Sequence, residues 1–417
     1  MTSTTHIVGA GLAGLAAAVS LATAGKKVVV YEATKHAGGR CRSFFDSSLD
    51  QTIDNGSHAV LGGNPNVFKY LELIDAEDEL VPVDMSGHIP FVDLITNDRW
   101  TLQPGANRLP NWIFSPSRRA RDTTVWDYLR GLILIFAGPA KSVADCLPQT
   151  GNGWRNFWEP LSTAVMNTPS SLASAHLLGR SLSNILLSPT GGLRTYIPRS
   201  TLGQTFVSPA LSRLEKLGMA VLFGSPLLTV RGRTRAEHLE FRGLAVSLKP
   251  EDTVILAITP WSPAVQSFLP QRFSPSPSPI VNAHFHFDTG EKATSMTGVI
   301  RGCAQWVFTR PNLVSVTVSG DTALAAQSQD DIAEALWADV QKSLNIANEP
   351  LPLARIIIER RATPIQDATF VKHRPGPETS LNNVFLAGDW VNTGLPCTLE
   401  SAIKSGFKAA ELAAKNH

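Results

Sequence analysis

Short apolar runs and a glycine-rich turn alternate at the start of the chain. Residues 6–8, His-Ile-Val, predict a short buried strand, and the Ala-rich residues 15–23 predict a helix that ends at Gly25. Residues 28–31 are β-branched or aromatic, predict a second buried strand and end at Glu32. A strand, a helix and a strand in so short a stretch predict a βαβ unit with parallel strands.

The turn of this unit carries the pattern G-x-G-x-x-G at Gly9, Gly11 and Gly14. Gly9 permits the tight turn, Gly11 lets the backbone approach a pyrophosphate, and Gly14 lets the helix pack on the strand. The helix N-terminus offers free N–H groups to phosphates, and Glu32 can accept hydrogen bonds from ribose hydroxyls. The unit therefore predicts a dinucleotide site, and the alternative is a tight turn without a ligand.

Two further motifs favour FAD over NAD as the dinucleotide. Gly38-Gly39-Arg40 follows Glu32 closely, and paired glycines beside an arginine suit a close approach to phosphate. Near the C-terminus, residues 383–387 predict a buried strand that runs into Gly388-Asp389, and residues 398–414 predict a helix. An acid after a strand can hold a ribityl hydroxyl, and a helix N-terminus can face the electron-rich edge of a reduced flavin.

These motifs resemble the FAD-dependent amine oxidase and phytoene desaturase superfamily. The segments 54–62, 167–169 and 388–396 narrow the resemblance to the hydroxysqualene dehydroxylase family, the squalene-associated FAD-dependent desaturases. Cys397 departs from the small residue expected there. Together, the motifs and the resemblance predict these FAD-binding residues: Gly9, Gly11, Leu12, Ala13, Gly14, Glu32, Ala33, Gly38, Gly39, Arg40, Gly56, Ser57, His58, Val221, Gly388, Asp389, Pro396, Cys397 and Thr398.

The expected fold is α/β, with a Rossmann-like FAD-binding domain of the glutathione-reductase type and an inserted α+β substrate domain. The FAD-binding domain is predicted to be discontinuous, with residues 1–85, 190–260 and 350–417. The substrate domain takes residues 86–189 and 261–349. Its predicted elements include strands at 280–287, 296–301, 304–309 and 313–319, and a helix at 330–344.

Composition excludes several classes of protein. Apolar residues make up 43% and charged residues 17% of 417 residues, so the chain can bury a large core and is not globally disordered. The net charge of +2 makes nucleic acid an unexpected partner. Four scattered cysteines favour neither a disulfide framework nor a metal site and suit a reduced cytoplasmic setting. The apolar N-terminal run has no basic segment before it, so we do not expect a signal peptide or anchor.

The family resemblance implies reduction of the allylic alcohol hydroxysqualene to squalene, in hopanoid and squalene biosynthesis. Loss of the hydroxyl as water needs a proton donor. Asp54 and His58 are the predicted catalytic residues, because their loop lies near the flavin in the superfamily and His58 has an ordinary pKa near neutrality. The alternative is that both residues only order the loop. No metal is expected, and the sequence does not identify the electron donor.

Two other functions stay open at this stage. A polyene desaturase or an amine oxidase would use the same FAD domain in the oxidative direction. A lipid-binding flavoprotein would keep FAD without turnover.

Residues 105–140 predict a possible membrane-docking surface. Arginines at 108, 118, 119 and 121 are interleaved with Trp112, Phe114 and Trp126, and the apolar run 132–137 follows. Cations beside aromatic residues and a short apolar helix are typical of an interfacial surface, and the alternative is a solvated loop before a core helix. A long-chain C30 isoprenoid substrate would favour docking at the inner face of the cell membrane, with the protein in the cytoplasm.

Overall fold

The computed structural model of the chain describes residues 3–105, 110–188, 191–271, 273–290, 294–346 and 348–416. Arg108, one of the arginines assigned to the docking surface, lies outside the described residues.

Within these described residues the strands form five sheets. They are β1 Thr4–Val8, β2 Lys27–Tyr31, β3 Ser43–Asp46, β4 Gln51–Asp54, β5 Val60–Leu61, β6 Leu80–Pro82, β7 Ile89–Asp93, β8 Arg99–Leu102, β9 Thr195–Pro198, β10 Ala220–Leu222, β11 Leu227–Gly232, β12 Ala236–Phe241, β13 Leu244–Ser247, β14 Thr253–Leu256, β15 Pro277–Phe285, β16 Ser295–Ile300, β17 Trp306–Arg310, β18 Leu313–Ser319, β19 Ala354–Pro364 and β20 Val384–Leu386.

The helices cover the faces of these sheets and fill the middle of the chain. They are α1 Leu12–Thr23, α2 Pro65–Leu73, α3 Val125–Arg130, α4 Val143–Cys146, α5 Gly151–Gly153, α6 Glu159–Met166, α7 Ala175–Leu187, α8 Ser208–Lys216, α9 Pro263–Gln266, α10 Gln329–Leu344, α11 Ala368–His373 and α12 Leu399–Lys415. A 3₁₀ turn, Gly131–Phe136, continues α3, and a π-helical turn, Trp154–Trp158, joins α5 to α6.

A five-stranded parallel sheet, in the order β10-β2-β1-β14-β20, forms the centre of the first part of the fold. Strands β1, β14 and β20 are buried along their whole length, as expected for strands of a parallel sheet covered on both faces. The predicted βαβ unit is β1, α1 and β2. The order of the strands and the first crossover confirm the predicted Rossmann-like architecture.

A seven-stranded sheet, in the order β19-β15-β18-β17-β16-β7-β8, forms the second part. Its neighbours are antiparallel except for β16 and β7. Along β15, Val281, Ala283 and Phe285 alternate with polar residues, and this apolar face packs on α10, where the rings of Phe285 and Trp337 lie 5.2 Å apart. The four strands and the helix predicted here are confirmed.

One boundary of the predicted domains differs from the structure. The prediction assigned residues 350–417 to the FAD-binding domain, but β19 pairs with β15 along most of its length and forms the edge of the seven-stranded sheet. A run of three isoleucines flanked by arginines, as in residues 355–361, is compatible with an edge strand of either sheet, so the sequence pattern alone could not assign it. The remaining boundaries stay a prediction.

The C-terminal helix α12 contacts both α1 and α2. It packs on α1, and its buried Glu400 accepts hydrogen bonds from the N–H of Asn66 at 3.2 Å, the side-chain amide of Asn66 at 2.5 Å and the N–H of Val67 at 3.0 Å. Glu400 therefore caps the N-terminus of α2, where the N–H of Val67 also donates to the carbonyl of the N-cap residue Asn64 at 3.1 Å.

Replacing Glu400→Ala should lower the free energy of unfolding by about 2 kcal/mol, because it removes the acceptor of three hydrogen bonds at the start of α2. Chemical denaturation followed by circular dichroism measures this loss. Glu411→Ala is the control, since Glu411 lies on the same helix with exposed partners, Lys408 and Lys415. Equal midpoints for the two variants would contradict the capping role.

Candidate active site

The first glycine motif forms a turn whose geometry admits no side chains at two positions. Gly9 has φ of +103°, and a Cβ there would collide with the carbonyl of Ala257. A Cβ on Gly14 would collide with the carbonyl of Gly9. In contrast, a Cβ on Gly11 would meet no atom within 4 Å, so this backbone faces open space.

Helix α1 begins directly after this turn. Gly11 is its N-cap, and the buried residues Leu12, Ala13 and Gly14 form its first turn. In the described structure no side chain caps these N–H groups. The positive end of the helix is therefore free to bind a phosphate at the open side of Gly11.

Glu32 lies at the end of β2, next to the turn. Its carboxylate accepts hydrogen bonds from the N–H of Ala10 at 2.8 Å, and from the N–H and hydroxyl of Thr34 at 2.9 Å each. Two carboxylate oxygens offer about four acceptor positions, so capacity remains for a ribose hydroxyl. The exposed Ala33 follows, and Val221 lies on the adjacent strand, paired with Val30.

The second glycine motif lies against the first. The N–H of Gly38 donates to the carbonyl of Ala10 at 2.8 Å, and a Cβ on Gly39 would lie 3.4 Å from the Cα of Gly11. The two motifs thus form one surface, as expected for a single extended ligand.

Arg40 and Asp389 were predicted to contact the cofactor separately, and the structure pairs them with each other. The guanidinium bridges both carboxylate oxygens, at 2.9 and 2.6 Å, and also donates to the carbonyl of Ala362. This two-pronged ion pair joins the turn after β2 to the turn after β20, where Gly388 donates its N–H to Ser405 at 2.8 Å. The N-terminal and C-terminal motifs therefore meet, as the sequence predicted.

The turn between β20 and α12 is held by Arg374, which the sequence analysis missed. Its buried guanidinium donates to the carbonyls of Trp390 at 3.1 Å, Leu395 at 2.6 Å and Asp389. Burial lowers the pKa of Arg374, and the nearby charge of Asp389 opposes that shift.

Gln366, also missed, links this turn to the 167–169 motif. Its carbonyl oxygen accepts the N–H of Cys397 at 2.7 Å, and its amide donates to the carbonyl of Met166 at 2.7 Å. Thr168 accepts the N–H of Gln366 at 3.1 Å. Two separate sequence motifs are thereby joined through one fully buried amide.

The three predicted residues before α12 occupy its entry. Pro396 and Cys397 are buried, and the Thr398 hydroxyl caps the helix by accepting the N–H of Ser401 at 3.4 Å. Burial raises the pKa of the Cys397 thiol to about 12, so this residue is a neutral, inert thiol at the helix entry.

Asp54, predicted to be catalytic, is a buried cross-link. It accepts hydrogen bonds from the Ser43 hydroxyl at 2.6 Å and the N–H of Leu202 at 2.9 Å, and lies 2.9 Å from the guanidinium of Arg310. Among the described residues no hydrogen bond joins Asp54 to His58. Its contacts connect β4 to the seven-stranded sheet, which is a positional role.

His58 differs from the expectation that it titrates near neutrality. Burial lowers its pKa to about 4, with only partial opposition from the charge of Asp54. The imidazole is therefore neutral at pH 7, and the premise for its choice as an acid was wrong. The assignment of Asp54 and His58 to catalysis stays a prediction. Ser57, beside it, is half-buried.

A polar patch on the seven-stranded sheet lies against this loop. The amide of Asn282 donates to the carbonyl of Asn55 at 3.2 Å, and a Cβ on Gly56 would lie 2.8 Å from that amide nitrogen. Thr317 donates to Asn282 at 2.8 Å, and His284 is paired with Ser315 at 2.8 Å. The alternation along β15 could have shown these polar residues, but not which loop they face.

Residues 12–121 and 252–414 match the sequence pattern of the family described as flavin containing amine oxidoreductase. The chain belongs to this family. It is also 40% identical over 419 residues to a hydroxysqualene dehydroxylase of Sinorhizobium fredii, covering 99% of each chain. A hydroxysqualene dehydroxylase of Rhodopseudomonas palustris is 39% identical over 420 residues, covering 99% of this chain and 98% of the relative. The narrower resemblance read from the motifs is thereby confirmed.

The fold agrees with solved members of this flavin-dependent group. A putrescine oxidase bound to putrescine superposes with a TM-score of 0.69 at 16% identity, covering 99% of this chain and 98% of that one. At that identity the likeness concerns the fold alone. The chain is an FAD-dependent oxidoreductase.

The residues present fit FAD at both ends of the site. The open backbone at Gly11 and the uncapped start of α1 suit the pyrophosphate, and the spare acceptor positions of Glu32 suit a ribose. The positive end of α12 lies at the joined Arg40–Asp389 turns and suits the flavin edge.

Arg40→Lys should lower the affinity for FAD by about tenfold or more, because a single ammonium cannot bridge Asp389 and bind the Ala362 carbonyl together. Equilibrium dialysis with flavin fluorescence measures the affinity. Arg42→Lys is the matched control, since Arg42 donates to the Gly39 carbonyl at 2.9 Å from the same turn. Unchanged affinity for FAD in the Arg40 variant would refute a role of the Arg40–Asp389 pair in binding FAD.

His284 should make the protein sensitive to acid. Burial lowers its pKa to about 4 from 6.5, so the unfolded state binds a proton more readily. The free energy of unfolding is therefore unaffected by this histidine above pH 6.5. It falls as the pH drops from 6.5 to about 4, by on the order of 3 kcal/mol.

His284→Gln should therefore flatten the fall of unfolding free energy between pH 6.5 and 4, whatever its effect at pH 7. Urea denaturation at a series of pH values measures the slope. His36→Gln, at an exposed histidine, serves as the control. Parallel curves for wild type and the His284 variant would show that this histidine does not carry the acid sensitivity.

Proposed function

We propose that the chain reduces the allylic alcohol hydroxysqualene to squalene, within squalene and hopanoid biosynthesis. The observation that carries this proposal is 40% and 39% identity, over nearly the whole chain, to relatives named for that activity. The site described above supports it, because the two glycine motifs lie against each other and Arg40 pairs with Asp389 of the C-terminal motif.

The overall reaction replaces a C–O bond by a C–H bond. Hydroxysqualene, a hydride and a proton give squalene and water, so the substrate is reduced by two electrons. When bound in its reduced form, FAD supplies the hydride. The chain must hold the allylic carbon near the cofactor, assist departure of the hydroxyl and exclude competing water.

The described residues divide these tasks. The Asp54–Arg310 pair fixes the loop that carries Gly56, Ser57 and His58 against the seven-stranded sheet. With its carboxylate engaged by Arg310, Ser43 and Leu202, Asp54 acts by positioning this loop. His58, as a neutral imidazole, is suited to hydrogen-bond the departing hydroxyl, and this role makes it the proposed polar contact.

The oxidative alternative, a polyene desaturase or an amine oxidase, uses the same family fold. It predicts that substrate reduces oxidised flavin, which is the opposite direction of electron flow. A flavoprotein that only binds lipid predicts no flavin redox change with any polyene. One experiment separates the three functions.

Hydroxysqualene mixed anaerobically with the chemically reduced holoenzyme should reoxidise the flavin and yield squalene in equal amounts. Flavin absorbance follows the first, and mass spectrometry of the extracted lipid the second. Flavin that stays reduced in the presence of hydroxysqualene would rule the proposal out. Reduction of oxidised enzyme by a polyene or an amine would instead support the alternative.

His58→Gln should lower the rate of flavin reoxidation by about a hundredfold while FAD stays bound, because general-acid or hydrogen-bond assistance typically contributes that much. Stopped-flow absorbance of the reduced variant measures the rate. His238→Gln, at an exposed histidine on β12, is the control. A rate equal to wild type would remove His58 from the chemistry and leave it a loop residue.

We further propose that the chain meets its C30 substrate at the inner face of the cell membrane, as a peripheral protein in the cytoplasm. A long hydrocarbon resides in the bilayer, and transfer into water costs about 0.8 kcal/mol per CH₂ group. Among the described residues, no helix has the length and apolar character needed to cross a bilayer. The physiological electron donor is left open.

A further inference from the structure

The segment formed by α3 and the 3₁₀ turn after it exposes large apolar side chains. Trp126, Ile133 and Phe136 are 69%, 52% and 86% exposed. A helix on the surface of a soluble domain normally presents polar residues to solvent. Here several of the largest side chains lie on the outside.

These side chains share one face of the segment, which runs without a break from residue 125 to 136. Trp126, Arg130, Ile133 and Phe136 follow at spacings of four, three and three residues, which places them along one stripe. Tyr128 and Leu134, on the other side, are buried. The segment therefore has two largely apolar faces, and only one of them is buried in the core.

The inner face is fixed to the protein, so the outer face is presented rigidly. The Tyr128 hydroxyl accepts the N–H of Ala120 at 2.9 Å, and the Trp158 indole donates to the Asp127 carbonyl at 2.7 Å. Helix α7 packs so closely that a Cβ on Gly179 would collide with the carbonyl of Leu134. The exposure thus belongs to an ordered element.

Cations border the apolar stripe. Arg130 lies on the stripe itself, and the exposed Lys141 follows the end of the turn. Arg121, which the sequence analysis had assigned to the surface, is instead paired with Asp98 at 3.2 Å and with Asp122 at 3.5 Å. Trp112, from the same assignment, is buried.

We infer that this stripe, Trp126, Arg130, Ile133 and Phe136, inserts into the boundary between headgroups and acyl chains of an anionic bilayer. An indole and a phenyl ring beside an arginine suit this boundary, where the rings enter the apolar layer and the cation meets phosphate. The inference rests on the proposed function for its biological reason, since that substrate resides in a bilayer.

The test measures binding of the holoenzyme to vesicles of phosphatidylcholine with phosphatidylglycerol, by co-sedimentation. Changing Trp126→Ser, Ile133→Ser and Phe136→Ser together should lower the partition coefficient at least about tenfold, because three large apolar groups no longer leave water. Wild type should also bind pure phosphatidylcholine more weakly than the anionic mixture.

A matched control changes Leu228→Ser, Leu244→Ser and Leu353→Ser, which are exposed leucines on other parts of the chain. This control should bind vesicles as wild type does. In addition, the tryptophan fluorescence of wild type and of Trp126→Phe is compared with and without vesicles. A vesicle-induced blue shift that is present in wild type and absent from the variant is assigned to Trp126. Circular dichroism and bound flavin verify that each variant is folded.

Vesicle binding by the folded triple variant equal to that of wild type would overturn the inference. A second result would also overturn it: wild type sediments as a dimer, the triple variant as a monomer, and neither protein binds vesicles. The stripe would then be a contact between two copies. Flavin reoxidation by hydroxysqualene in detergent should be the same in both proteins. Failure of that reaction in wild type, with vesicle binding intact, would reject the proposed function and leave the docking surface standing.

Discussion

A buried cation holds the C-terminal half of the site together. The guanidinium of Arg374 donates to three main-chain carbonyls in the turn between β20 and α12, and its charge is compensated by these dipoles. That turn carries Asp389 and leads into α12, whose Glu400 caps α2. Arg374 thus helps to position both Asp389, which pairs with Arg40, and the start of α12. Without a donor at this point, three inward-facing carbonyls would be left unpaired at the centre of the fold.

Charged side chains also link the seven-stranded sheet to the rest of the fold. Asp54, at the end of β4, meets Arg310 on β17, and Arg40 reaches both Asp389 and the carbonyl of Ala362 on β19. The first pair joins the two-stranded β3–β4 sheet to the seven-stranded sheet, and Arg40 joins the turns after β2 and β20 to β19 through the Ala362 carbonyl. Because the carboxylates are buried, loss of either cation would strand a charge, which is far more costly than loss of an exposed pair. The relative position of cofactor and substrate surfaces is therefore set by charge as well as by packing.

The βαβ unit and the terminal glycine motifs could be predicted because their determinants are local. Gly9, Gly11 and Gly14 specify a turn within six residues, and the alternation of apolar runs around them specifies the strands. Arg374 and Gln366 could not be found this way, because their partners are main-chain groups brought near by folding. The low pKa of His58 was missed for the same reason, since it results from burial by distant segments. Strand β19, which was not predicted, lies in residues assigned to the FAD-binding domain and pairs with the seven-stranded sheet.

The low charge of the chain has more than one structural cause. One cause of the small share of charged residues is the core around the two large sheets. There, even the polar face of β15 carries neutral groups, with Asn282 bonded to Thr317 and His284 to Ser315. Such neutral pairs satisfy buried polar groups at lower desolvation cost than ions would. The other cause is on the surface, where Trp126 and Phe136 occupy positions that a water-facing helix would give to charged residues. A sum over the whole sequence cannot distinguish these causes, because only the fold shows which apolar residues face inward and which face out.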